Sequence, residues 1–141
     1  MMNSCPPILL VEDNPLDVDL TLRAFQRCKL DNPILVARDG EEALAWVPRW
    51  ESGETQPAVI LLDLKLPKVD GLAVLRTLKA HAELRRIPVV ALTTSRENRD
   101  IQAAYDLGAN SYIVKPVGFD NFMDVAQQVE LYWCVLNELS Q

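Results

Sequence analysis

Three acids, a threonine and a lysine in this sequence each end a short apolar run, and together they are groups from which a phosphoryl-transfer site can be built. Glu12 and Asp13 follow Ile8-Leu9-Leu10-Val11, and Asp63 follows Val59-Ile60-Leu61-Leu62. Thr93 follows Val89-Val90-Ala91-Leu92, and Lys115 follows Ser111-Tyr112-Ile113-Val114. Three carboxylates gathered at one place repel one another unless a hard, oxygen-seeking cation is bound. Mg2+ suits that task, because it takes one or two carboxylates together with waters and a phosphate. With the cation present, Asp63 can act as a carboxylate nucleophile toward a phosphoryl group. The Lys115 ammonium and the Thr93 hydroxyl would then stabilise charge on the transferring oxygens.

Taken singly, each group has an ordinary structural reading. Acids before a helix are common partners of the helix dipole, threonines before a helix are common caps, and Lys-Pro is a common turn. Their joint occurrence carries the weight, and it depends on the elements that position them. The apolar runs are too short for helical periodicity and read as strands of a parallel sheet buried on both faces, the first about 8–12 and the third about 59–63. Pro33 to Ala37 reads as a second strand, Ile87 to Leu92 as a fourth and Ser111 to Val114 as a fifth.

Helical patterns separate the strands. Asn14-Pro15 opens the first helix, with Val18, Leu22 and Phe25 recurring through about Lys29. Asp39-Gly40 opens a second carrying Ala43, Leu44 and Val47, which Pro48 interrupts, and Trp50 to Pro57 reads as a polar loop. Asp70 or its neighbour caps a third with Leu72, Leu75 and Leu78 inward, and a fourth from about Glu97 to Leu107 is closed by Gly108. The terminal helix, about 119–139, has Phe122, Val125, Val129, Tyr132 and Leu136 in one stripe. Alternation of five strands with five helices predicts a three-layer α/β sandwich of right-handed crossovers. In a parallel sheet the carboxyl ends of the strands share one edge, so the five groups can converge there.

The chain has 141 residues, 49% hydrophobic and 24% charged, which fits one globular domain spanning 1–141. A formal net charge of −6 argues against direct nucleic-acid binding, which needs clustered Lys and Arg. The sequence has neither an apolar run of membrane-spanning length nor the pattern of a signal peptide, so a soluble cytoplasmic protein is expected. Cys5, Cys28 and Cys134 are odd in number and widely spaced, and read as reduced thiols. His81, the single histidine, lies in a polar helix end and reads as a surface residue, not a catalytic base.

These residues resemble the receiver domains of two-component response regulators, over essentially the whole chain. Glu12-Asp13 is similar to the family's acidic pair, Asp63 to the phosphoacceptor, Thr93 to the switch hydroxyl and Tyr112 to the switch aromatic. Lys115-Pro116 is similar to the family's lysine with its proline, and Leu66-Pro67 through Asp70-Gly71 to the loop after the phosphorylated strand. The resemblance implies a flavodoxin-like fold with strand order 2-1-3-4-5, Mg2+ held by Glu12, Asp13, Asp63 and the Lys65 backbone carbonyl, and a cis peptide before Pro116. It implies a phosphoryl group accepted from a histidine kinase, and a switch in which Thr93 moves toward the phosphoryl group, Tyr112 rotates inward and the face of helix 4, strand 5 and helix 5 is remodelled. A half-buried strand tyrosine with a wet hydroxyl is the other reading of Tyr112. The long segment from Val47 to Pro57 and the apparent lack of an output domain resemble regulators that pair with phytochrome-type kinases.

Some features depart from the common pattern. Thr94 stands where many receivers carry a smaller residue, which predicts slower loss of phosphate than in Thr94→Ala. Lys65 sends its side chain either to solvent or to a partner. Met123, Leu131, Trp133 and Leu139 give the last helix apolar surface beyond its stripe, read either as a packed terminal helix or as a homodimer face.

Three functions compete. The first is a phosphoacceptor signalling module, not an enzyme beyond its own phosphorylation and dephosphorylation. The second is a phosphorylation-independent adaptor of the same fold. The third is a haloacid-dehalogenase-type phosphatase, which needs an acid two residues after its nucleophile, where this chain has Lys65.

Overall fold

A computed structural model describes residues 5–28, 30–94, 96–115 and 119–130. Five strands, β1 (Ile8–Val11), β2 (Ile34–Ala37), β3 (Val59–Leu62), β4 (Val89–Thr93) and β5 (Ser111–Val114), form one parallel sheet in the order β2-β1-β3-β4-β5. The helices are α1 (Pro15–Arg27), α2 (Gly40–Leu44), α3 (Trp46–Glu51), α4 (Gly71–Ala80), α5 (Asn98–Asp106) and α6 (Phe119–Val129), with a 3₁₀ turn at Leu84–Arg86. Five helical segments thus cover the sheet, the second of them broken into α2 and α3.

The near-continuous apolar strands split their side chains between two cores, as the two-residue period of a strand requires. Leu9, Val11, Ile60, Leu62, Val89 and Ala91 face the core shared with α2 to α5. Ile8, Leu10, Val59, Leu61, Val90 and Leu92 face the one shared with α1 and α6. This sandwich matches the expected architecture. Register brings the carboxyl ends level, because Val11 pairs with Leu62, Leu62 with Ala91, and Thr93 with Val114.

Local signals are visible at some helix ends, although Asp70, at the N-cap of α4, makes no side-chain cap bond. Asn14 Oδ1 accepts the N–H groups of Leu16 at 2.9 Å and Asp17 at 3.4 Å, with Pro15 as the first helical residue. Gly108 ends α5 with a φ of 105°, a region that disfavours any side chain. In α4 the buried positions are Gly71, Val74, Leu75 and Leu78, while Leu72 is only half-buried.

Trp50 corrects the sequence reading. It lies in α3 and is 4% exposed, not in a polar loop. The chain breaks at Ala45, so Pro48 falls in the first turn of a new helix, where its missing N–H has no partner to lose. Trp46 stacks on Trp50 with ring centroids 5.9 Å apart, and the Arg49 guanidinium lies 3.9 Å over Trp46.

His81 follows the end of α4 and is half-buried. Its Nδ1 accepts the N–H groups of Glu83 and Leu84 at 3.1 and 3.2 Å, while Nε2 faces Glu51 Oε2 at 2.9 Å. It ties α4 to α3 and lies a whole helix away from Asp63. Among the described residues no helix is long and apolar enough to cross a membrane. The peptide before Pro116, the continuation of the last helix through Leu131, Tyr132, Trp133, Leu136 and Leu139, and Cys134 lie outside the described residues.

Candidate functional site

Short backbone bonds carry each candidate group to the same edge. Glu12, one residue beyond β1, donates its N–H to Ala37 O at 2.9 Å, and Asp63, one beyond β3, donates to Val11 O at 3.0 Å. Lys115, one beyond β5, donates to Thr93 O at 2.7 Å. Glu12 Oε2 accepts the Asn14 N–H at 3.1 Å, and Asp63 Oδ1 accepts the Lys65 N–H at 2.9 Å. A Cβ on Gly71 would lie 2.3 Å from the Asp63 carbonyl oxygen, so only glycine lets α4 start so close to that strand end.

The Lys115 ammonium sits at the centre. Its Nζ is 2.5 Å from Glu12 Oε1, 2.8 Å from Asp17 Oδ2 and 3.0 Å from Asp63 Oδ2. Glu12, Asp63 and Lys115 are 2%, 6% and 9% exposed, whereas Asp13 is exposed. Ligand oxygens of Glu12, Asp13 and Asp63 all lie within 4.8 Å of one another. Such a set fits Mg2+ in donor chemistry, being all oxygen, and the exposed Asp13 leaves one side open to water and phosphate.

Charge in this pocket is unbalanced. Among the described residues four carboxyl groups, those of Glu12, Asp13, Asp17 and Asp63, gather about one ammonium. Burial raises the Glu12 carboxyl from its ordinary 4.5 to about 7; the hydrogen bond from Lys115 opposes that rise and the charge of Asp63 adds to it. For Lys115, burial alone would lower the ammonium, but hydrogen bonds to Asp17 and Glu12 and the charge of Asp63 outweigh it and leave a net rise. The Glu12 rise comes mainly from burial and the Lys115 rise from its acidic partners; a divalent cation would relieve the negative charge that contributes to both.

Thr93 is fully buried, and its Oγ1 has no hydrogen-bond partner among the described residues. A buried hydroxyl left so costs roughly 1–3 kcal/mol. It is a donor kept in reserve at the end of the strand beside β3.

The other candidates stand apart from this cluster. Thr94 is exposed, and Tyr112 is half-buried on β5, packed against the core under α2 to α5. The Lys65 side chain turns to Asp100 on α5, with Nζ 3.5 Å from Oδ2. Asp17 is the site residue that sequence reasoning missed. Its signal was its place four residues after Asp13 in the first turn of α1, one helical turn beyond the acidic pair.

Residues 8–127 match the model of the response regulator receiver domain. A probable methanogenesis regulatory protein of Methanothrix harundinacea, FilR2, is 43% identical over 127 residues, covering 89% of this chain and 82% of that one. Response regulator Rcp1 of Synechocystis sp. is 39% identical over 134 residues, covering 92% of this chain and 91% of its own length. The Mn(2+)-bound form of Rcp1 matches with a TM-score of 0.82 at 37% identity, over 92% of this chain and 94% of that one. The bacteriophytochrome response regulator AtBRR matches with a TM-score of 0.75 at 50% identity, over 93% and 96%. A match that runs from the first strand into the last helix leaves one conclusion: this chain belongs to the response regulator receiver domain family, and it resembles the phytochrome-associated regulators within it.

Proposed function

We propose that this chain is a phosphoacceptor switch in which Asp63 takes a phosphoryl group from the phosphohistidine of a histidine kinase. The observation that carries this reading is Asp63 Oδ2 at 3.0 Å from the buried Lys115 ammonium, inside a trio of acids whose oxygens lie within 4.8 Å of one another. In the transfer, an Asp63 carboxylate oxygen forms a bond to phosphorus, the phosphorus–nitrogen bond breaks, and its electron pair returns to the donor imidazole. Lys115 offers an N–H to the phosphoryl oxygens as a point charge, and the Thr93 hydroxyl gains the acceptor that it lacks. Glu12, Asp13, Asp63 and the Lys65 backbone carbonyl would hold Mg2+, which when bound supplies positive charge against the acids and the phosphoryl oxygens. The Mn(2+)-bound form of Rcp1 supports a divalent cation.

Water later cleaves the mixed anhydride, and exposed Thr94 flanks its approach. While the phosphoryl group is present, Thr93 turns toward it and Tyr112 rotates inward, changing the face of α5, β5 and α6. A cavity of about 370 Å³ on that face, lined by Tyr105, Ser111, Tyr112 and Gln128 among others, supports its use for a partner or for a second copy in a homodimer. Coverage of 91% of Rcp1 supports reading residues 1–141 as a single receiver domain, and AtBRR, a bacteriophytochrome response regulator, supports a phytochrome-type kinase upstream; a cytoplasmic location is part of the same proposal. A phosphatase reading finds no support, since Lys65 stands in place of the required acid and its side chain pairs with Asp100. The intact set of acids, hydroxyl and lysine argues against a phosphorylation-independent adaptor.

Acetyl phosphate with Mg2+ tests the reading. Intact-mass measurement should find one phosphoryl group on the wild-type chain and none on Asp63→Asn. Equal labelling of both, or labelling of neither, would overturn it.

A further inference from the structure

We infer that Asp17 is a positioning residue for the transfer, holding the Lys115 ammonium in place from α1 while Glu12 serves the cation. This inference rests on the reading of Asp63 as phosphoacceptor and concerns how that same site is assembled. An ammonium has three N–H donors on a flexible stem, so its place is set by what it bonds. Here the three acceptors are Glu12, Asp17 and Asp63, at 2.5, 2.8 and 3.0 Å.

Two of those acceptors have other duties. Glu12 and Asp63 belong to the acid trio that fits a cation, and Asp63 is also the group to be modified. A carboxylate drawn to Mg2+ has less charge to offer the lysine. Asp17 lies outside the trio, so its bond to Lys115 does not compete with the cation.

Asp17 is also well fixed. Its N–H bonds to Asn14 Oδ1 at 3.4 Å, its carbonyl accepts from Thr21 Oγ1 at 2.7 Å, and its side chain is 20% exposed. It thereby connects the first turn of α1 to the end of β5. With Asp17 holding one N–H, the ammonium keeps its direction when Asp63 gives up its bond and a phosphoryl oxygen arrives.

The test is phosphate uptake from acetyl phosphate by the full chain, measured across a Mg2+ titration. In Asp17→Asn the rate at saturating Mg2+ should fall on the order of tenfold to a hundredfold, the scale of a displaced catalytic group. The Mg2+ concentration for half-saturation should change by less than about twofold, because Asp17 is not a cation ligand. Asp17→Glu should recover part of the rate. In Lys115→Ala, which already lacks the ammonium, adding Asp17→Asn should change the rate no further.

A wild-type rate in Asp17→Asn, a loss cured by more Mg2+, or a loss that adds to that of Lys115→Ala would overturn the inference while leaving Asp63 as phosphoacceptor. A wild-type chain that takes up no phosphate would overturn both.

Discussion

At the scale of single residues, Glu12 makes the site sensitive to pH. Burial raises its carboxyl from 4.5 to about 7, so between those values the folded, metal-free chain holds a proton that the unfolded chain has released. That contribution to stability is fully present below pH 4.5 and is lost as pH climbs to about 7. The same proton must leave before Glu12 can hold a cation. Titration calorimetry or fluorescence should therefore find Mg2+ binding weakening as pH falls from about 8 to about 6; affinity independent of pH in that window would contradict the assignment of Glu12 as a ligand. Thr94 carries a second residue-level prediction. If its exposed, branched side chain crowds the path of water to Asp63 as proposed, Thr94→Ala should lose its phosphoryl group faster than wild type in a decay assay after donor removal, and equal or slower loss would refute the role.

Residue identity at the strand ends was readable because each group stands at the end of a short, mostly apolar run. Asp17 was not, because an acid in the first turn of a helix is ordinary in isolation. Only the fold brings it to a lysine 98 positions further along the chain.

At the scale of elements, strands were legible because they are short and largely buried, and their carboxyl ends came out within a residue of expectation, although β4 starts at Val89, two residues after the expected Ile87. The second helical segment was less so. The break expected at Pro48 falls instead at Ala45, with Val47 and Pro48 in the first turn of α3, where a proline costs no hydrogen bond, and the restarted helix buries Trp50. Trp50 should therefore behave as core: Trp50→Ala is expected to cost about 3–5 kcal/mol in denaturant unfolding, whereas a loop tryptophan would cost little. Gly71 couples an element boundary to the site. The methyl of Gly71→Ala would meet the Asp63 carbonyl at 2.3 Å, so backbone must shift. Stability should fall by about 1–3 kcal/mol, and phosphate uptake should slow in the folded fraction; a variant equal to wild type in both would mean that the start of α4 does not set the position of Asp63.

At the scale of the whole molecule, the strand order could not be read from apolar patterns, which do not say which strands are neighbours. It came with the resemblance, and the sheet has that order. Strand β3 sits between β1 and β4, and this is what lets acids from β1, the acid from β3 and the hydroxyl from β4 share one edge. The face of α5, β5 and α6 begins where Thr93 and Lys115 end their strands, so a change at Asp63 has a short path to it. Sedimentation at tens of micromolar, with and without acetyl phosphate, should find a dimer in at least one state; a monomer in both would remove the homodimer from the account.

The central claim is that Asp63 carries the signal as a phosphoryl group. Tandem mass spectrometry of the chain after acetyl phosphate and Mg2+, with borohydride reduction to mark the acyl phosphate, tests it most directly. The expected result is a single modified residue, Asp63, with the mark lost when Mg2+ is chelated before donor is added. Modification at any other residue, or none in a chain that remains folded, would contradict it.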